Sequence, residues 1–316
     1  MTVIVLNRNG LRHLDGCLGS LAGQELAGGF TTVLVDNASE DGSVAHVRSH
    51  FPSVRVLEAG ANLGFAAGNN LALRQATTTH VVLLNNDTLV RPGWLAALVS
   101  AADSDPRAGA VQAKLLFAGR PGVIQSAGTL LLSDGSAGDR GFGEPDDGRF
   151  SRREEVFGAC AAAALYRREA LDDVGLLDEA FYMYYEDVDL SWRLRLAGWK
   201  VLYEPAAVVD HVHSATSGPD SGFMRFHAER NRLLMVLKNA PWDFVVASYR
   251  SLGSRAARPG ESPAGARASR LRVALSFLSH LPRALVARAR IRSRRRVGDA
   301  EVLGWTFPRE RWDARS

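Results

Sequence analysis

The sequence predicts an α/β protein built on a mainly parallel sheet with helices on both faces. In the first hundred residues, short runs rich in Val, Ile and Leu alternate with longer stretches of helical periodicity, as successive βαβ units do. No segment reaches the roughly 18 to 20 consecutive apolar residues that a membrane-spanning helix requires. With 316 residues, of which 46% are hydrophobic, the chain can form one large core, or one core with a smaller appended element.

Four apolar runs in the first half predict the strands, and the helical patterns between them predict the crossovers. The predicted strands cover residues 3–6, 32–35, 54–57 and 81–84. The predicted helices cover residues 11–24, 43–50 and 68–75. Because crossovers between parallel strands are right-handed, these units indicate a doubly wound sheet.

The second half has a different pattern. Strand-like segments at 110–117 and 128–132 surround a loop rich in Gly and Asp at 133–148, and we interpret 110–157 as an insertion over the carboxyl edge of the sheet. A helix is predicted at 188–197, with Asp187 as a possible N-cap and Gly198 at its end, followed by a strand at 200–203. The chain is then divided at residue 240, into a domain of residues 1–240 and a basic helical extension of residues 241–316.

Polar clusters follow three of the predicted strands, at the point where each strand ends. They are Asn7-Arg8-Asn9-Gly10, Asp36-Asn37 and Asn85-Asn86-Asp87. Any one of them alone could simply form a turn or cap a helix. Since ligands of open α/β sheets bind at the carboxyl edge, the three together predict a single polar pocket there.

The pocket lacks the sequence signatures of the common phosphate-binding loops. The segment around Asn62 and Gly64 does not have G-x-G-x-x-G spacing, and no Walker-type lysine motif is present. A nucleotide could still be held by Asp36, accepting from the base or ribose, and by backbone near Gly64, where a missing side chain permits close approach.

Asp87 is a candidate ligand for Mg²⁺ or Mn²⁺, because hard cations prefer carboxylate oxygens and share their other positions with diphosphate and water. The second protein ligand would be His211 or His213. Without further information, a strand-end or surface pair is the simpler interpretation of these two histidines.

The densest signal is an aromatic run, residues 181–185, that leads into Glu186 and Asp187. Both carboxylates suit the first turn of a helix, where the helix dipole favours negative charge. A carboxylate at the end of an aromatic wall is also what a general base needs to take a proton from a sugar hydroxyl. The two interpretations are compatible, since a helix start holds a catalytic carboxylate rigidly.

In their order and spacing, these segments resemble glycosyltransferase family 2 enzymes with the GT-A fold, in particular rhamnosyltransferase-like bacterial enzymes that make cell-surface glycans. The resemblance covers roughly residues 1–240. The matching segments are residues 3–10, 35–43, 62–70, 83–87, 157–159 and 186–190, then Gly198-Trp199 and His211.

The resemblance implies an inverting, metal-dependent transfer of a sugar from a nucleotide diphosphate, with thymidine-diphosphate rhamnose as the first expectation and a uridine-diphosphate sugar next. Asp187, beside Glu186, would be the base, and Asp87 would bind the metal with His211 or His213. Asn85 stands where the family's D-x-D motif has its first aspartate, which leaves one charge fewer for the metal. The donor-binding residues would be Leu6, Asn7, Asp36, Asn62, Gly64, Phe65, Asn69, Asn85 and Asn86. The acceptor side would be lined by Gly158, Ala159, Tyr185 and Trp192, and the loop at 133–148 could close over the donor.

Charge is unevenly distributed along the chain: residues 241–316 contain 16 Arg and no Lys against 6 acidic residues. A basic amphipathic segment of this kind is typical of an anionic membrane surface, so we expect peripheral attachment at the cytoplasmic face and a glycan or lipid-linked glycan acceptor. A helix that packs on the core is the alternative. No nucleic-acid motif accompanies the charge, so nucleic-acid binding is not expected. Only two cysteines are present, as in proteins of a reducing compartment.

Two other functions fit parts of the pattern. A nucleotidyltransferase also places acidic metal ligands at the edge of an α/β sheet, but Asn7-Arg8-Asn9-Gly10 is a poor phosphate loop. A non-catalytic protein that binds nucleotide sugars would need no base, so the presence of Asp187 together with Asp87 and His211 favours the enzyme.

Overall fold

The structure is a computed structural model that describes residues 1–212, 222–254 and 263–313. The strands are β1 (Thr2–Asn7), β2 (Thr31–Asp36), β3 (Arg55–Glu58), β4 (His80–Asn85), β5 (Thr88–Val90), β6 (Ala108–Phe117), β7 (Ile124–Ser126), β8 (Thr129–Leu132), β9 (Ala137–Asp139), β10 (Glu154–Glu155), β11 (Ala163–Arg167), β12 (Lys200–His211) and β13 (Thr306–Phe307). The helices are α1 (Leu11–Ala22), α2 (Ser43–His50), α3 (Gly64–Leu73), α4 (Trp94–Asp103), α5 (Arg168–Val174), α6 (Glu186–Leu196), α7 (Gly222–Asn239), α8 (Trp242–Ser254), α9 (Pro263–Arg294), α10 (Asp299–Leu303) and α11 (Arg309–Asp313), with a 3-10 turn at Glu179–Phe181.

A ten-stranded sheet forms the centre of the molecule, in the order β10-β12-β6-β11-β4-β1-β2-β3, with β5 and β7 paired at its side. The first four strands in the sequence, β1 to β4, pair in parallel, as predicted. Successive residues of β1 point to opposite faces: Ile4 joins one core layer, and Val3 and Val5 join the other. Helices α1, α2 and α4 cover one face of the sheet, and α3, α5 and α6 cover the other.

The interpretation of residues 110–157 as an insertion is wrong for its first part. Strand β6 lies within the main sheet, antiparallel to β11 and parallel to β12. Its residues are buried almost throughout, which is typical of a central strand covered on both faces. The remaining segment forms β7 to β10, of which β8 and β9 pair with β13 in a separate three-stranded sheet.

Two predicted boundaries moved because tertiary contacts replace local signals. Helix α3 begins at Gly64, four residues before the predicted start, since its free N–H groups at Phe65 and Ala66 donate to the carbonyl of Tyr182. Strand β12 continues past Pro205, through a register shift, to His211.

The C-terminal helices pack on the rest of the protein. α9 lies along α7, and both contribute to a third apolar cluster with α6 and α8. Strand β13 pairs with β8. Among the residues that the structure describes, no helix combines the length and the hydropathy needed to cross a membrane.

Candidate active site

The three polar clusters meet at the carboxyl edge of the sheet, as predicted. Asn7 lies beside Asp36 in the pairing of β1 with β2, and its Nδ2 donates to Asp36 Oδ1 at 3.4 Å and to Ser39 Oγ at 3.1 Å. Asn86 Nδ2, from the third cluster, donates to Asn7 Oδ1 at 2.6 Å. Asn7 is therefore a buried link between the clusters, and its side chain orients those of Asp36 and Asn86.

A second polar link joins the end of β2 to the start of α3. Asn37 Nδ2 donates to Asn62 Oδ1 at 3.0 Å, and Asn37 Oδ1 accepts from the N–H of Leu63 at 2.8 Å. Gly64 has a φ of +79°, and a Cβ there would lie 2.5 Å from the Tyr182 ring. The close approach at Gly64 is thus made by the loop before α6, and not only by a ligand as predicted from sequence.

Three of the predicted donor-binding side chains serve the packing of α3. Asn69 is buried, and its Nδ2 donates to the carbonyl of Phe65 at 3.0 Å. Leu6 and Phe65 are half-buried and pack against the core. Leu6 also fills the space beside Gly68, where a Cβ would lie 2.6 Å from it.

Asp87 and His211 are 124 positions apart in sequence and come together at this edge. His211 Nε2 lies 3.1 Å from Asp87 Oδ1 and 3.4 Å from Asn85 Nδ2, and His211 Nδ1 lies 2.9 Å from Gln125 Oε1. The backbone supports the pair, since the N–H of Val212 donates to the carbonyl of Asp87 at 3.0 Å. Gln125, on β7, is a member of the site that the sequence did not indicate.

The chemistry of this pair fits a divalent cation. With Nδ1 donating to Gln125, the lone pair of His211 Nε2 and the Asp87 carboxylate face each other as two ligands that a cation between them can share. Two ligand atoms at adjacent corners of an octahedron with bonds of about 2.1 Å are about 3 Å apart, as these two are. Among the described residues no group of three His, Cys, Asp or Glu side chains could hold a metal, so a donor diphosphate and water would have to complete the shell. His213 lies outside the described residues.

The loop before α6 holds the candidate base. Tyr182, Tyr184 and Tyr185 all have positive φ, at 65°, 69° and 72°. Tyr185 takes the N-cap position in the left-handed conformation, so the expectation that Asp187 caps this helix is wrong. Asp187 lies in the first turn, where Oδ2 accepts from the N–H of Ala161 at 3.1 Å and Oδ1 from that of Val188 at 2.8 Å.

Burial dominates the electrostatics of the two acids. Desolvation raises the pKa of Asp187 despite its backbone hydrogen bonds. Desolvation, and then the charge of Asp187, raise the pKa of Glu186 well above its ordinary value. Within the described part of the chain, Glu186 Oε2 is buried and accepts no hydrogen bond. A carboxylate whose pKa is raised toward neutral pH is a stronger base for a sugar hydroxyl.

Two adjacent side chains of α7 hold the strained loop, and the first, Arg230, donates to the carbonyls of Ala180 and Phe181 at 3.0 and 2.9 Å. Asn231 Nδ2 donates to the carbonyls of Phe181, Met183 and Tyr184, at 2.9, 2.8 and 2.7 Å. Non-glycine residues with positive φ cost free energy and persist only where their surroundings enforce them. Asn231, which the sequence gave no reason to select, therefore positions the aromatic run that precedes Asp187.

A third carboxylate approaches from β9. The pKa of Asp139 is raised to about 6, mainly by burial and also by the charge of Asp187, against a hydrogen bond from Ser126 and the charge of His211. Asp139 therefore interacts electrostatically with both the candidate base and the candidate metal ligand. It belongs to the segment that the sequence describes only as a Gly- and Asp-rich loop.

The family model described as "Glycosyl transferase family 2" matches residues 2–175, more than half of the chain. The chain belongs to glycosyltransferase family 2. The match ends before α6, so it includes the polar edge of the sheet and excludes the helix that carries Asp187.

Two relatives illustrate how far the similarity extends. The Mycobacterium tuberculosis protein named N-acetylglucosaminyl-diphospho-decaprenol L-rhamnosyltransferase is 30% identical over 272 residues, covering 78% of this chain and 87% of the relative. Uncharacterized protein y4gI of Sinorhizobium fredii is 31% identical over 229 residues, covering 69% of this chain but only 25% of the relative. The family 2 unit of the present chain is thus a minor part of that longer protein.

The solved structures show the fold. The structure of GalNAc-T7 with UDP, GalNAc and Mn²⁺ superimposes with a TM-score of 0.64 at 14% identity, over 90% of this chain and 57% of that one. The fold is GT-A, as predicted from sequence.

The predicted acceptor wall of this family 2 enzyme is wrong in two of its residues. Trp192 is only 1% exposed and packs edge-on against Phe157, so it cannot contact a substrate. Ala159 is fully buried, and its N–H donates to Ser191 Oγ at 3.2 Å. Gly158 permits the same helix to approach, since a Cβ there would lie 2.7 Å from that Oγ. Nearly every residue of α6 is buried, and the sequence pattern at positions 186–196 did not predict this.

Proposed function

We propose that the chain is an inverting glycosyltransferase that depends on a divalent metal and moves a sugar from a nucleotide diphosphate to a hydroxyl of a cell-surface or lipid-linked glycan. One observation carries the proposal. A half-buried carboxylate with no ion pair among the described residues, Asp187, lies at the same sheet edge as the Asp87–His211 pair and the Asn7–Asp36 pocket.

Asp187 is the residue that moves the proton. As the acceptor hydroxyl oxygen forms its bond to the anomeric carbon, the hydroxyl proton passes to the Asp187 carboxylate and the bond from that carbon to the diphosphate oxygen breaks. A single displacement inverts the configuration and requires one base and no covalent nucleophile. General-base catalysis of this kind contributes a factor of about 10² to 10⁴ in rate. Glu186, next to Asp187, adds a second carboxyl group to the site and is the second catalytic residue of the proposal.

Asp87 and His211 would hold Mg²⁺ or Mn²⁺, which supplies positive charge for the departing diphosphate. His213 is the alternative ligand. Asn85 and Asn86 lie beside this pair, where their amides can donate to phosphate oxygens. Asn85 adds no negative charge, which lowers the affinity of the protein for a free cation and makes metal binding more dependent on the donor diphosphate.

Asp36 would recognise the nucleoside, since it lies at the end of β2 with Asn7 beside it and Asn62 across the edge. Thymidine-diphosphate rhamnose is the favoured donor, because the M. tuberculosis relative that aligns over most of both chains is named an L-rhamnosyltransferase. A uridine-diphosphate sugar is the next choice.

The same relative's name describes a sugar on a diphospho-decaprenol, which supports a lipid-linked acceptor here. We place the reaction at the cytoplasmic face of a membrane, with residues 241–316 in peripheral contact with anionic lipid. Gly158 and Tyr185 remain acceptor-side residues in this proposal, joined by Asp139. The segment 133–148, which carries β9, would close over the donor and exclude water.

The decisive experiment follows nucleoside diphosphate release from a panel of nucleotide sugars, with Mn²⁺, Mg²⁺ or chelator, using a lipid-containing membrane extract as acceptor. We expect metal-dependent release from one donor, lost in Asp87→Ala and in Asp187→Asn. The Asp187→Asn variant should still bind the donor in a calorimetric titration. Release that Asp187→Asn leaves unchanged would remove the base from the mechanism. Donor binding with no release for any acceptor would instead indicate a nucleotide-sugar-binding protein.

A further inference from the structure

The arginines that end α9 are engaged with the protein. Arg288 donates to the carbonyls of Leu237 and Ala240, at 2.6 and 2.7 Å, and Arg296 pairs with Asp173 at 2.7 Å. In addition, Arg292 and Arg295 pair with Asp299, and Arg294 donates to the carbonyl of Asp173. These side chains attach this end of α9 to the rest of the protein, which is the alternative given above for part of the basic segment.

The opposite side of α9 carries an apolar stripe. At 3.6 residues per turn its members fall on one side of the helix, away from Val273 and Ala284, which are buried against the protein. These large side chains are 41–63% exposed. The stripe consists of Leu271, Leu275, Leu278, Leu285 and Val286.

A groove between α8 and α9 extends this stripe sideways. Its volume is about 630 Å³, and Leu285 belongs both to the groove and to the stripe. On the α8 side, Trp242 and Val246 are exposed. The other lining residues are Leu237, Val245, Tyr249, Arg250, Phe277 and Leu281. Stripe and groove together form one apolar surface, called here the α8–α9 face.

The charged side chains of α9 are all of one sign, while α8 adds Arg250 and one acid, Asp243. α9 contains eight arginines and no acidic residue. Arg272, Arg283 and Arg290 are exposed and follow one another on the flank of the stripe, about 100° around the helix from it. An apolar stripe bordered by arginines is the arrangement of a helix that lies in the headgroup region of an anionic bilayer. Covering the face with a second copy of the chain would bring two arginine rows together, which charge repulsion disfavours.

The face also lies beside the catalytic cleft. Arg272 is 5.5 Å from the ring centre of Phe226 on the first half of α7, and Phe226 in turn contacts His227, which stacks on Tyr182. Tyr182 opens the loop that leads to Asp187. A bilayer against the stripe would therefore bring lipid headgroups close to the edge of the active site.

We infer that the α8–α9 face docks this enzyme on an anionic phospholipid bilayer, with the leucines of α9 at the boundary between headgroups and acyl chains. The inference rests on the proposed function, to which it adds the docking residues and the side of the molecule that meets the lipid. It differs from the sequence-based expectation because apolar side chains contribute the contact and most of the terminal arginines do not.

The test is co-sedimentation of the full chain with vesicles of phosphatidylcholine, with and without phosphatidylglycerol. Leu275→Glu, at a position 59% exposed, is compared with Leu89→Glu on β5, which is 46% exposed and away from the face. The two variants change the net charge equally. We expect wild type and Leu89→Glu to bind the anionic vesicles alike, and Leu275→Glu to bind at least about tenfold more weakly, because it loses an inserted side chain and gains repulsion.

Two results would overturn the inference: wild type that ignores anionic vesicles, or equal binding by both variants. A dimer in light scattering that Leu275→Glu converts to monomer would identify a second copy as the occupant instead. Donor hydrolysis without vesicles separates this inference from the proposed function. Vesicle binding without turnover would refute the proposed reaction but support the docking face. Turnover without vesicle binding would support the reaction and refute the docking face.

Discussion

Two pairs of acids on and just before α6 are each buried or half-buried, but one pair contacts buried cations and the other does not. Asp189 contacts Arg193 and Lys238, each at 2.9 Å, and Asp178 contacts Lys238 at 2.6 Å. Glu186 and Asp187, only a few positions away, have no ion pair among the described residues. The cationic partners are the main difference between the two pairs.

The pKa values of Asp178 and Glu186 show the effect of these different surroundings. Lys238 and other partners lower the pKa of Asp178 to about 2, against the effect of its burial, whereas the pKa of Glu186 is raised well above its usual value. The fold therefore pairs its buried cations with Asp178 and Asp189, where they connect α6 with α7, and among the described residues none of them pairs with Glu186 or Asp187. Uncompensated acids in a cleft are characteristic of functional sites, and compensated ones of structural networks.

The largest effect is expected for Asp187→Asn. Removing the base should lower kcat by about 10² to 10⁴. The free energy of unfolding should stay the same or rise, because burial of the charge opposes folding at neutral pH. Steady-state kinetics and urea denaturation of the same preparation measure both. A loss of stability large enough to account for the loss of activity would show that Asp187 has a structural role and not a catalytic one.

Asp189→Asn, two positions further along the same helix, should behave in the opposite way. It leaves Lys238 and Arg193 buried with less negative charge, which costs about 3 to 5 kcal/mol of stability. The kcat of the folded fraction should change little. Urea midpoints, with activity corrected for the folded fraction, test this. A stable variant with greatly reduced kcat would show that the paired acids also take part in the chemistry.

An acid titration of stability tests whether Asp178 belongs to the acids that are paired with cations. Its pKa is about 2 in the folded protein and about 3.9 in the unfolded chain, so its contribution is complete above pH 4 and is lost as the pH falls toward 2. The stability of wild type relative to Asp178→Asn should therefore decrease by about 2 kcal/mol over that interval. Parallel stability curves for the two proteins would contradict the pairing.

Asn231→Ala should have the smallest effect and lies between the two classes. It removes the amide that donates to three carbonyls of the strained loop, of which that of Phe181 keeps Arg230 as a donor, at a cost of about 1 to 3 kcal/mol in stability. Because the loop positions the base, kcat should fall by about tenfold while KM for the donor changes less. Asn231→Gln is the control with the same amide. Equal kcat values in Asn231→Ala and wild type would show that the loop holds its conformation without this contact.

Local patterns in the sequence were sufficient for part of this description. The alternation of apolar runs and helical stretches predicted β1 to β4 and the helices between them, and the polar residues that end β1, β2 and β4 predicted the edge where the site lies. These features follow from neighbours in the chain, through the period of the side chains and the direction of parallel strands.

Other features depended on which segments meet. Burial of the whole of β6 within the sheet, the exclusion of Trp192 from solvent, and the approach of Gln125 and Asp139 to His211 and Asp187 arise from contacts across tens of residues. The arginines of α9 illustrate the same limit, since their charge was evident from sequence but their partners were not. The sequence states which residues are apolar or charged, whereas packing decides which side chains are buried and which charges are paired. The sequence alone therefore determined the family and the edge of the sheet that carries the chemistry, and only the tertiary structure decided which charges are compensated.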